Sequence, residues 1–77
     1  MSIIGELRRY KEHTIGLSIW EDPDCSKWRE IDLMPTDVFV ILEDNDPVRE
    51  VIKILKINGD IGWASKTHAM TRSDPLV

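Results

Sequence analysis

A single cysteine, one tyrosine, one phenylalanine and four glycines leave this 77-residue chain few of the devices that staple or tool small proteins. One thiol, Cys25, cannot form an internal disulfide, which fits a reducing compartment. With no second cysteine and only His13 and His68 as imidazoles, no zinc spacing and no cysteine redox pair can be drawn. Glycine-rich phosphate loops and Ser-His-acid arrangements are also missing, so the chain is read as non-enzymatic and free of cofactor and metal. No window holds the roughly 18 apolar residues of a membrane span, and the opening MSIIGELRRYKEH is too short in apolar residues for a signal peptide. A soluble cytoplasmic protein without membrane contact is the expectation, and the length allows one domain over residues 1–77.

Positive charge is scarce overall, with ten basic against fourteen acidic residues, and it is unevenly spread. Residues 21–60 carry five basic and eleven acidic side chains, whereas residues 1–16 and 66–77 are each slightly basic. A net charge of −4 argues against non-specific duplex binding. The basic ends matter only if the fold joins them.

What the chain does have is strand pattern. Val51–Ser65, VIKILKINGDIGWAS, places two β-rich runs around Asn58-Gly59, the dipeptide suited to a two-residue type I′ turn. That turn pairs Ile57 with Asp60 and Leu55 with Gly62, setting Trp63 on the side of Ile54 and Ala64 on that of Lys53 and Leu55. A competing helix starts at Asp46-Pro47 and carries Val48, Val51, Ile52 and Leu55 at helical spacing, with Gly59 as its stop. The β-branched content of Val48–Ile57 favours the strand.

Elsewhere, Glu6–Tyr10 reads as a short first strand. Thr14–Trp20 alternates, with Ile15, Leu17 and Ile19 on one face. Glu21–Lys27 is a loop, Trp28–Leu33 an irregular extended segment, and Asp37–Glu43 a strand covered on both faces. Asp44–Pro47 is a turn. Lys66–His68 reads as a single 3₁₀ turn, Ala69–Arg72 as a last strand and Ser73–Val77 as a loose tail. The sum is an all-β domain of five or six short antiparallel strands, ordered over about residues 5–72.

In the order of its pieces the chain resembles small SH3-like barrels of the bacterial and bacteriophage type. GELRRY with HTIGLSIW is similar to their entry strands, LMPTDVFVILE to the run through their central strand, and INGDIGWASKTHAM to their closing unit. The resemblance spans about residues 5–72 and implies a small barrel that acts by binding, in the cytoplasm of a host cell if the protein is viral. It also implies that Trp63 lies towards a ligand groove and its successor towards the core. The aromatic run and tryptophan pair of polyproline-binding SH3 domains are not matched, since only Tyr10 lies early and no Trp-Trp pair follows DVFVILE.

Three tryptophans, Trp63, Trp28 and Trp20, are the candidate binding residues, as an aromatic platform for a protein or peptide. The competing reading has the same indoles closing the ends of a small barrel. The resemblance sets the first and last strands side by side, and would gather Arg8, Arg9, Lys11, Lys66, His68 and Arg72 into a basic face for nucleic acid or an acidic protein. Solvated edge charge is the bland alternative. A third reading is a structural component of a larger assembly such as a virion, with self-association through an apolar patch. Glu21, Asp22 and Asp24, and likewise Asp44 and Asp46, match no calcium-loop pattern and read as solvated loop acid. Their charge should leave Cys25 an ordinary thiol.

Overall fold

The computed structural model describes residues 2–45 and 49–76, excluding the side chains of residues 29 and 30. Among these residues seven strands and one short helix follow in the order β1 (Leu7–Tyr10), β2 (Leu17–Trp20), β3 (Trp28–Leu33), β4 (Val38–Asp44), β5 (Val51–Lys56), β6 (Ile61–Ser65), α1 (Lys66–Thr71) and β7 (Ser73–Pro75). They form one sheet of order β3-β2-β6-β5-β4-β1-β7, antiparallel at every pairing. The small all-β fold expected from the strand pattern is therefore present. The final elements differ in detail: Ala69 and Met70 lie in the helix, and the last strand falls in the segment read as a loose tail. That helix buries Ala69 against the sheet, so a tertiary contact decides the conformation of a segment whose local pattern is weak.

The sheet curls around one face. Tyr10, Leu17, Ile19, Leu33, Phe39, Ile41, Ile52, Ile54, Ala64 and Ala69 form the core cluster, supplied by the first six strands and α1. In β2 the alternation works as read for Leu17 and Ile19, but Ile15 lies before the strand and is exposed, its carbonyl accepting the Tyr10 hydroxyl at 2.6 Å. In β4 only Phe39 and Ile41 are fully buried; Val38, Val40 and Leu42 are half-buried, so this strand is not covered on both faces.

Lys56 shows how tightly the sheet curls. Its ammonium donates to the Asp32 carbonyl of β3 at 3.1 Å and pairs with Asp37 at 2.9 Å, although β3 and β5 are separated by β2 and β6 in the sheet. Three inter-strand steps of about 4.8 Å would put these strands out of reach in a flat sheet.

The β5–β6 hairpin exists, and the helix alternative for Val51–Lys56 does not. Asp46, Pro47 and Val48, which carry part of that alternative and of the Asp44–Pro47 turn, lie outside the described residues. The loop is Ile57-Asn58-Gly59, three residues rather than two, because Leu55 pairs with Ile61 and Ile54 with Gly62. Gly59 alone takes the left-handed conformation (φ +100°), while Asn58 keeps negative φ. This is a type I turn closed by a glycine bulge, with the Gly59 amide donating to the Lys56 carbonyl at 2.9 Å. The one-residue change reverses the predicted cross-strand partners: Trp63 stands opposite Lys53, and Ala64 opposite Ile52.

Candidate functional site: a tryptophan row on the outer face

Successive strand pairings place Trp28 of β3 opposite Trp20 of β2, and Trp20 opposite Trp63 of β6. Beyond Trp63 the row continues through Lys53 of β5 to Glu43 of β4. Directly opposed residues share a face, so five side chains run across the strands in a single line. That face is the outer one, since the buried Ile19, Ala64 and Ile52 occupy the alternate positions. The register shift between Ile19 and Trp20, with β3 contributing Arg29 and Glu30 as extra residues, brings Trp28 level with Trp20.

The indoles grade from half-buried to open. Trp63 and Trp20 are half-buried, and Trp28 is 53% exposed. The Lys53 ammonium lies 6.0 Å from the Trp63 ring centre and 3.3 Å from the Glu43 carboxylate, so one end of the row is fixed by a cation–π contact and an ion pair. None of the three tryptophans belongs to the core cluster, which lies on the opposite face.

The loop between β2 and β3 holds the open end. Asp22 accepts bonds from the amides of Ser26 (3.0 Å) and Lys27 (3.1 Å) and from the Ser26 hydroxyl (2.6 Å). The Ser26 hydroxyl, with those amides, keeps the Asp22 carboxyl below its ordinary range. The Glu21 amide closes the loop on the Lys27 carbonyl at 2.7 Å. Within it Cys25 stands at φ +55°, and burial pushes its thiol up; Arg49 opposes that shift, and Asp22 and Asp24 add to it. Among the described residues, no group of three His, Cys, Asp or Glu side chains is placed to hold a metal ion.

The basic residues are distributed differently from the expected face. β1 and β7 do pair, Arg9 opposite Asp74, and the Lys11 amide donates to the Arg72 carbonyl. Arg8, however, points inward: it is 7% exposed, with Nε on the Ser73 hydroxyl at 2.7 Å, Nη2 on the Ser73 and Met70 carbonyls, and Nη1 on Glu6. Arg9 faces Glu12 at 3.8 Å and Lys11 faces Asp74 at 3.8 Å. Lys66 bonds Asp44 at 3.0 Å, at the opposite end of β4 from Val38, the partner of Arg9. Six residues of strand put that ion pair about 20 Å away. His68 is exposed in α1.

A second row escaped the sequence pattern. Leu7, Val40, Leu55 and Ile61 are consecutive partners on the outer face. The first three, with Val38 and the 82%-exposed Ile57, border a shallow depression of about 270 Å³. The sequence does not mark the row by alternation: β4 opens on five consecutive apolar residues, VFVIL, and β1 reads LRRY, so the row appears only once the register is known.

No helix of the described residues is long and apolar enough to cross a membrane. Searches against protein-family models, curated proteins and solved structures return no match to this chain.

Proposed function

We propose that the protein is a non-enzymatic binding module of the SH3-like barrel type, an accessory protein of a bacterium or phage, whose tryptophan row recognises a segment of a partner protein. The observation that carries this reading is the alignment of Trp28, Trp20 and Trp63 on the solvent side of the sheet. Rigid indoles offer large contact area for little ordering entropy, and they dominate the energetics of many interfaces. A chain of this size has no room for a deep cavity, so a ridge on an outer face is the site it can afford. Selection of a displayed random-peptide library on the intact protein tests the reading. Enriched peptides should lose binding to Trp28→Ala and Trp20→Ala; peptides that bind these variants as well as the parent would refute it.

The apolar row Leu7–Val40–Leu55–Ile61 favours a second reading, in which copies of the chain associate as part of a larger assembly. Sedimentation that stays monomeric at high micromolar concentration would remove it. Nucleic-acid binding through the termini has less support, because Arg8 is buried and Arg9, Lys11 and Lys66 each face a carboxylate.

A further inference from the structure

The geometry points to Asn58 as a site of spontaneous amide-to-carboxyl conversion that the folded β5–β6 turn holds in check. Asn58 and Gly59 are both exposed, and beyond Gly59 and its chain neighbours Asn58 and Asp60 no atom lies within 4 Å of the place a Gly59 side chain would occupy. A glycine on the C-terminal side leaves the asparagine carbonyl carbon open to attack by the next backbone nitrogen. In that step the Gly59 nitrogen bonds to Asn58 Cγ, giving up its proton to solvent. The Cγ–Nδ2 bond breaks and ammonia departs, leaving a five-membered succinimide. Water then adds to either imide carbonyl, yielding aspartate or isoaspartate. Atoms balance with water as the co-reactant, and nothing is oxidised or reduced.

In the folded turn each participant is engaged elsewhere. The Gly59 amide donates to the Lys56 carbonyl at 2.9 Å. Asn58 Nδ2 donates to the Asp60 carboxylate at 3.1 Å, and Asn58 Oδ1 accepts the Asp60 amide at 3.0 Å. The nitrogen must leave its hydrogen bond, and the side-chain amide must leave both of its own, before Cγ and the nitrogen can meet. Conversion therefore proceeds from the open turn, at a rate set by the open population. Its product loosens the turn. A carboxylate at position 58 replaces the donor facing Asp60 with a like charge, and the isoaspartyl form adds a methylene to a three-residue loop that fixes the register of Trp63.

The test is a time course of the intact protein at mildly alkaline pH, native and in urea, with peptide mapping at both asparagines. Asn45, followed by the bulkier Asp46, is the internal reference. Asn58 should convert on the order of tenfold or more faster in urea than in the native state, and faster there than Asn45. Gly59→Ala should slow the reaction in urea, where folding plays no part. Equal rates in the two states, faster native conversion, or no preference for Asn58 over Asn45 in urea would each overturn the proposal.

Discussion

Arg8 is the clearest case of a charged side chain whose role is set by what it touches. Its guanidinium joins β1 to the α1–β7 unit through Ser73 and the Met70 carbonyl and pairs locally with Glu6, and the Ser73 hydroxyl passes the connection on to the Ala69 carbonyl. Removing it strands several buried acceptors, so Arg8→Ala should cost about 3 kcal/mol. Urea unfolding measures that loss, and hydrogen exchange should show β7 deprotected first; a variant as stable as the parent would contradict the assignment. Cys25 makes the opposite kind of prediction. Burial raises its thiol, so less thiolate is present at neutral pH than for a free thiol, and alkylation should be slower. Because the folded value lies above the unfolded one, the thiol's contribution to stability is complete below the ordinary value of 9.0 and is lost as pH rises through the raised one. Arg49 opposes the shift, so Arg49→Ala should slow alkylation further.

Among the elements, the β5–β6 hairpin shows what the sequence makes legible and where it stops. Its two strands follow from β-branched content, and its turn from Asn58-Gly59, but the choice between two and three loop residues depends on the bulge that β5 can accept. That choice has a mutational signature. With Gly59 alone at positive φ, Gly59→Val should cost on the order of 1 kcal/mol or more, from strain alone because the space around it is open. Asn58→Ala should cost less, losing only the bonds to Asp60; equal or greater loss would restore the two-residue turn. The same limit applied to the site. Trp20, Trp28 and Trp63 stand out by residue type, but their alignment rests on a register shift in β3 and on an inter-strand pairing between residues 43 positions apart, which no local pattern encodes. Arg8 departs from the basic face expected of paired terminal strands because its position in β1 shares the inward side with Tyr10, which the sequence LRRY does not reveal. The helix over Ala69 depends likewise on a distant core.

At the scale of the whole molecule, the sheet separates two jobs. Its inner face holds the fold together through ten clustered side chains, and Lys56 ties the curl from β5 to β3. Its outer face carries indoles and aliphatic residues that contribute little to that core, together with charges that are mostly paired. Substitutions on the two faces should therefore differ in kind. Phe39→Ala should lower stability by about 3–5 kcal/mol, as full burial of an aromatic side chain implies. The most direct test is the affinity of a library-selected peptide for Trp20→Ala, Trp28→Ala and Trp63→Ala, each measured beside its own urea midpoint. The account predicts that the three variants keep a folding transition much closer to the parent than Phe39→Ala does, and that each loses at least about tenfold in affinity, roughly 1.4 kcal/mol. Loss of folding on these substitutions, or peptide binding unchanged by them, would contradict it.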